Sequence, residues 1–292
     1  MKMTLLKRLF GLFMMAALLI AAGSGKAEND EQPELWFPVG EKLTYQIYWG
    51  IFPVAETKVT TEWIEEESEE ETRILLAIKV TTKSYALLDA IYPVNDYIES
   101  VVDPETFTPI RFSKRLSEGR YRLHEITTFN HMEHVAHWKH LIKNETRDFV
   151  IEDDTRDLLS FMFFMRSQKL EPNRSYKHRL MADEKLYDLF INTKDYVRLN
   201  ISKFGVVRCL DMQPEAKFQG FFVRVGKLQV WISDDKRSLC MKAVAKAPVV
   251  GTIKLLLNKV EGPGNDSWVK PGAASERQQS NMKSNGENTN AH

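Results

Sequence analysis

The chain has 292 residues, 43% of them hydrophobic, with 40 basic and 40 acidic side chains and a formal net charge of zero. That composition supports a folded core rather than disorder. It lacks the basic excess that nucleic acid calls for, and it gives no reason to expect strong attraction to anionic headgroups.

Residues 1–27 carry an address. Met1, Lys2, Lys7 and Arg8 form a charged start, Leu9 to Ala22 an apolar run, and Gly23, Ser24, Gly25 and Ala27 a small-residue end. This order predicts a secretory signal peptide cleaved after Ala27. The run is shorter than the roughly 20 residues a bilayer-spanning helix needs. Lys2, Lys7, Arg8 and Lys26 account for four of the 40 basic residues, leaving 36 against 40 acidic and a net charge of −4. Residues 28–34 are expected to form a short lead, 35–261 a single β-rich domain and 262–292 a disordered tail rich in Ser, Asn, Gln, Gly and Lys.

Within the domain, apolar runs with period two, or continuous ones, recur along the chain. They fall at Lys42–Trp49, Val54–Trp63, Ile74–Thr81, Tyr97–Val102, Tyr121–Phe129 and Val135–Ile142. Others follow at Leu186–Ile191, Tyr196–Ile201, Val206–Met212, Phe221–Ile232, Leu239–Val244 and Val249–Leu257. The spacing, with polar turns between runs, predicts a mainly β fold: a large antiparallel curved sheet, half-barrel or barrel-like. Asp103-Pro104 and Glu171-Pro172-Asn173 punctuate it, and Ser233-Asp234-Asp235-Lys236 reads as a hairpin turn. The acidic run Glu65 to Glu71 lacks the spaced ligands and glycine of a calcium loop and reads as a solvated hairpin tip.

One helix is expected, over about 154–167. Asp154 or Thr155 can cap it, Asp157 suits the positive end of its dipole, and Pro172 stops it. Leu158, Leu159, Phe161, Met162, Phe163, Phe164 and Met165 leave almost no polar face, so the helix should be buried. It would pack into the concave side of the sheet or plug a barrel. Phe161, Met162, Phe164 and Met165, with Trp231, are the candidate lining of an apolar ligand cavity, since methionine adapts to irregular ligands.

Two cysteines, Cys209 and Cys240, lie in strand-like runs. In an oxidising compartment they would either close a disulfide, stabilising the fold by roughly 3–4 kcal/mol, or remain two inert buried thiols.

The candidate chemistry is thin. His131, His134, His137 and His140 recur every third residue, which on a helix would make a metal stripe. Here the segment reads as a hairpin with Asn130–Glu133 as its turn, and a strand sends His137 to one face and His134 and His140 to the other. His124-Glu125 lacks the second histidine of a zinc-protease motif. Gly220–Lys227 has five residues between glycines instead of the four of a phosphate loop, and Leu228 stands where a hydroxyl is needed. Ser160 has no nucleophile-elbow context. No catalytic residue, cofactor or metal is expected.

A family resemblance adds to this reading. Phe37-Pro38-Val39-Gly40-Glu41-Lys42-Leu43-Thr44-Tyr45 is similar to the opening of the exported bacterial family called domain of unknown function 3108. Tyr92-Pro93-Val94-Asn95-Asp96, Glu99-Ser100, Asp103 to Pro109, and Asp157-Leu158-Leu159-Ser160 with Arg166 follow in order. Trp231-Ile232-Ser233-Asp234-Asp235, Gly251 and Leu255 to Leu257 complete the series. Cys240 departs from the pattern, which has a proline there. The resemblance implies a periplasmic setting in a Gram-negative envelope and a β-rich fold, but no mechanism.

The expectation is therefore a non-catalytic exported cell-envelope protein that holds an apolar or lipid-like ligand in the concavity of a curved sheet. Its partner would be a lipid or other apolar small molecule, or an envelope protein, with no nucleic acid and no transmembrane segment in the mature chain. The alternative is a structural or protein-interaction module of the envelope. A glycan-acting enzyme, using carboxylates from distant strands, is the third reading.

Overall fold

The computed structural model describes residues 33–67, 72–219, 221–222, 227–247 and 251–264. The expected signal peptide and nearly all of the expected tail lie outside the described residues, as do 68–71 of the acidic run.

The first eight strands are β1 (Lys42–Trp49), β2 (Phe52–Glu67), β3 (Thr72–Ser84), β4 (Asn95–Val102), β5 (Pro109–Glu118), β6 (Tyr121–Asn130), β7 (Val135–His140) and β8 (Glu145–Val150). A four-residue helix, α1 (Ala86–Asp89), lies between β3 and β4, and α2 (Leu158–Met165) follows β8. Then come β9 (Ser175–Ala182), β10 (Lys185–Ile201), β11 (Gly205–Phe218), β12 (Phe221–Phe222), β13 (Lys227–Ser233), β14 (Cys240–Ala247) and β15 (Gly251–Glu261). They form one antiparallel sheet in the order β8-β7-β6-β5-β4-β3-β2-β1-β15-β14-β13-β11-β10-β9, with β12 added to β11. The first and last strands meet at its centre, where Lys42 faces Glu261.

Alternation sets the inner face. Val230 and Ile232, Leu43 and Tyr45, and Ile98 and Ser100 are buried, and out-of-phase residues such as Tyr97, Glu99 and Trp231 are more exposed. Register shifts in β1, between Val101 and Val102, and between Trp231 and Ile232 add twist and curl the sheet. The curl brings the edges together. The segment after β8 lies along β9, with an Arg156–Leu180 bridge and a 2.9 Å hydrogen bond from Met181 N to the Arg156 carbonyl. The result is a half-barrel closed on one side by a connecting segment.

The described strands correct the sequence reading in particular places. Leu186–Ile191 and Tyr196–Ile201, expected as separate runs, are one strand, β10, with an irregularity between Thr193 and Tyr196. Strands β5, β8 and β9 carry no clear apolar alternation. β5 points Lys114 and Glu118 inward, and β8 is almost wholly exposed. The helix is shorter than expected and starts later: Asp157, not Asp154 or Thr155, is its N-cap, accepting from Leu159 N at 2.7 Å and Ser160 N at 3.0 Å. Thr155 instead accepts from Glu152 N at 2.9 Å, in the turn before it.

Among the described residues no helix is long and apolar enough to cross a membrane.

Candidate functional site

Helix α2 occupies the concavity and touches opposite parts of the half-barrel. The Ser100 hydroxyl of β4 donates to the Asp157 carboxylate at 2.5 Å, and Phe161 meets the His178 ring of β9 at 5.3 Å. Trp36, in the lead to β1, donates its indole N–H to the Phe163 carbonyl at 2.8 Å. Of the expected cavity lining, Phe161, Met162 and Met165 are buried in the core and Phe164 is half-buried beneath the Arg156 guanidinium, 3.7 Å from its ring. Trp231 does not join them. It alternates out of phase with Val230 and Ile232, and Lys242 lies over its ring at 4.7 Å.

The far end of α2 is held by a buried ion cluster. Arg166, at the helix C-cap, and Glu41, just before β1, are each 1% exposed and pair through both guanidinium ends, one contact at 3.1 Å. Arg166 Nε donates to the Arg237 carbonyl at 3.2 Å, and the Arg237 guanidinium lies 3.8 Å from Glu41. Arg237 is delivered by the β13–β14 loop, which the Asp235 carboxylate organises by accepting from Arg237 N at 2.9 Å, Ser238 N at 3.0 Å and the Ser233 hydroxyl at 3.0 Å. The phenyl rings of Phe37 and Phe163 flank the Arg166 guanidinium at 5.1 Å each. The Tyr45 hydroxyl is fully buried beside this cluster, and burial first, then the Cys240 thiol, pushes it well above the ordinary tyrosine range.

A second polar cluster lies towards β5, where sequence alternation failed. Asp96 and Glu118 hydrogen-bond each other on the inner face at 4% and 2% exposure. Ser117 N donates to Asp96 at 2.8 Å and the Tyr92 hydroxyl to Glu118 at 3.4 Å. Burial, reinforced by the charge of Asp96, pushes Glu118 up to about 8; burial alone pushes Asp96 up to about 6. The pair therefore shares a proton at neutral pH. Gly119 makes room for Tyr92: its φ is +53°, and a Cβ there would sit 2.8 Å from the ring.

Beside this pair, Lys114 lies 2.6 Å from Glu125 and 2.7 Å from Asp183. Burial works against its charge, but the two carboxylates outweigh burial and hold it above the ordinary lysine range. The Trp138 indole donates to Glu125 at 3.3 Å. Asp183 and Glu184 form the β9–β10 turn, and Glu184 pairs with Arg147 of β8 at 2.8 Å. This turn thus straps one edge of the sheet to β5 and β8.

The other motifs disperse. His131 sits in the β6–β7 turn against the Pro109 carbonyl at 3.1 Å, and His134 pairs with Asp153 at 3.0 Å. His137 is exposed with Asp148, whereas His140 is buried beside Trp138. Among the described residues no group of three or more His, Cys, Asp or Glu side chains could hold a metal ion. Ser160 is buried and donates to the Asp157 carbonyl at 3.2 Å, so its hydroxyl serves the helix cap. The disulfide alternative is corrected: Cys209 and Cys240 are free, buried thiols on β11 and β14, which flank β13. Two strand spacings put their backbones about 10 Å apart, beyond the roughly 7 Å that a bridge tolerates.

The residues that carry the family resemblance prove to be partners. Glu41 with Arg166, Ser100 with Asp157, Tyr92 with the Asp96–Glu118 pair, and Asp235 with the Arg237 loop join segments far apart in sequence. The family of proteins of unknown function DUF3108 matches residues 44–258. This chain belongs to it. Among solved structures, the DUF3108 chain is similar to the β-barrel-like protein of domain of unknown function DUF1849 from Brucella abortus, with a TM-score of 0.50 and 9% identity over 76% of this chain and 97% of that one. A protein with a YmcC-like fold from Bacteroides fragilis matches at a TM-score of 0.33 and 8% identity, over 84% of this chain and all of that one. At such identities the first likeness concerns the fold alone, and the half-barrel described above agrees with it. No curated protein matches significantly in sequence.

Proposed function

We propose that this DUF3108 protein is a non-catalytic, exported envelope protein that works as an interaction module, presenting its outer surfaces and rims to partners. One observation carries the reading: the concavity where an apolar ligand would lie is filled by the protein's own helix, pinned at Asp157 by Ser100 and at Arg166 by Glu41. Phe161, Met162 and Met165, which suit a ligand cavity by composition, pack into the core. Export is supported by the residue order of 1–27, with the periplasm as the destination.

The Asp96–Glu118 pair lends no support to a glycan-acting enzyme. Its carboxyls hydrogen-bond each other, whereas glycoside hydrolysis places them about 5–9.5 Å apart around the scissile bond. The decisive measurement is native mass spectrometry of protein purified without detergent. A mass equal to that of the polypeptide is expected. Extra mass that leaves on denaturation would replace the module reading with that of a binder of apolar ligand, and fragmentation would name the ligand.

A further inference from the structure

Because every strand pair in the sheet is antiparallel, alternate turns share a rim. The turns after β1, β3, β5, β7 and β9 lie on one rim with the start of β15; those after β4, β6, β10 and β13 lie on the other with the end of β2. The first rim exposes large apolar side chains on two neighbouring links. Trp49 is 51% exposed, Ile51 80% and Phe52 58% in the β1–β2 hairpin, and Ile91, in the neighbouring β3–β4 link, is 82% exposed. This patch is rigidly mounted: Gly50 N donates to the Thr252 carbonyl of β15 and Tyr85 N to the Val54 carbonyl of β2, both at 2.8 Å.

The overall charge balance conceals an asymmetry between the rims. Lys83, Arg120, Arg122 and Lys246 are exposed on the apolar rim. Of the carboxylates on the same rim, Asp89 is engaged by the Ser84 hydroxyl, Asp183 by Lys114 and Glu184 by Arg147, and Glu145 is exposed. The opposite rim exposes Glu65, Glu67, Glu105, Glu133, Asp234 and Asp235 against the exposed cations Lys203 and Lys236, with Arg208 paired to Asp234, so acidic side chains are in excess there.

We infer that the Trp49–Ile51–Phe52–Ile91 rim docks on the surface of an anionic lipid bilayer, its apolar side chains entering the headgroup boundary and its flanking lysines and arginines facing lipid phosphates. Aromatic and aliphatic side chains bordered by cations are the chemistry that interfacial binding selects, and the acidic rim fixes which way the molecule faces. This rests on the interaction-module reading and names the partner for one rim.

The test is co-sedimentation of the detergent-free protein with vesicles of phosphatidylglycerol and phosphatidylethanolamine, against vesicles of phosphatidylcholine alone. Binding to the anionic vesicles is expected, weakened by added salt and reduced roughly tenfold or more by the double variant I51S/F52S. The substituted side chains are exposed, so an unchanged melting curve should accompany the loss. R120E/R122E should act in the same direction through charge. Failure to sediment with any vesicle, equal binding to both kinds, or indifference to I51S/F52S overturns the inference. A crosslink to an envelope protein that I51S/F52S abolishes, without vesicle binding, would overturn it too, while leaving the module reading intact. Only the native-mass result bears on that reading.

Discussion

Arg166 pairs with Glu41, a residue 125 positions earlier, at a site where both side chains are almost completely withdrawn from water. The pair ties the end of the helix to the first strand of the sheet centre. Its energetics follow from desolvation: two buried charges that match each other contribute little net stability, but one left alone is costly. E41Q should therefore destabilise the protein by about 3–5 kcal/mol, and more than R166M, because Glu41 also faces the Arg237 guanidinium. The double replacement E41Q/R166M should cost less than the sum of the two single losses, because neither member of the Glu41–Arg166 pair is then left facing a missing partner. Urea midpoints of the three variants and the parent check the cycle.

The Asp96–Glu118 pair makes stability depend on pH with a defined sign. Both carboxyls titrate higher in the folded protein than their ordinary 3.8 and 4.5, Glu118 at about 8 and Asp96 at about 6, chiefly through burial. Between about pH 4.5 and 8 the folded state therefore holds more protons than the unfolded chain. Its stability falls as pH rises through that window. A loss of a few kcal/mol between pH 5 and 9 is expected, and E118Q should flatten the slope. Denaturant unfolding at several pH values decides it; a slope unchanged in E118Q would count against the shared proton.

The β9–β10 turn should respond in opposite directions to substitutions at its two residues. Asp183 and Glu184 both adopt left-handed backbone, with φ of 46° and 56°. That geometry costs a non-glycine residue about 1 kcal/mol or more. The Glu184–Arg147 pair is partly exposed and returns about 0–1 kcal/mol, so E184G should be neutral or stabilising by up to ~1 kcal/mol. D183N keeps a residue suited to the turn but removes a charge partner from buried Lys114, at a cost of about 1–3 kcal/mol. Melting temperatures of the two variants test the contrast.

The thiols give a direct chemical readout. Burial first, then the nearby carboxylates of Asp235 and Asp234, pushes the Cys209 thiol up to about 12; burial, then Cys209, raises Cys240 further. A chromogenic disulfide reagent should find both thiols unreactive in the folded protein and two per chain in denaturant without reductant. Absence of reaction in denaturant would reveal a disulfide and contradict the strand arrangement.

Most strands are legible in the sequence because their side chains repeat with the period of the backbone, and the buried helix because its run is apolar on every side and stopped by Pro172. Lys42–Trp49 matches β1 residue for residue on that basis. Strand β5 escapes because Lys114 and Glu118 occupy inward positions, and alternation cannot distinguish a buried charge from an exposed one. Those charges satisfy one another only across strands, through Glu125, Asp183 and Asp96. The helix cap falls at Asp157 rather than at Asp154 or Thr155 because several side chains can cap locally, and the Ser100 hydroxyl on β4 engages Asp157. Glu41 and Arg166 carry the family resemblance as separate marks; only the curl of the sheet shows that one explains the other.

The adjacency of β1 and β15 has a consequence for biogenesis. As the chain is synthesised, β1 to β8 can zip outward as successive hairpins, each with its partner close at hand. The other edge of β1 has no such neighbour until residues beyond Gly251 exist. The first strand to be made is thus the last to be fully paired. An apolar edge stays open through most of synthesis, and a chain cut short before β15 would carry it permanently.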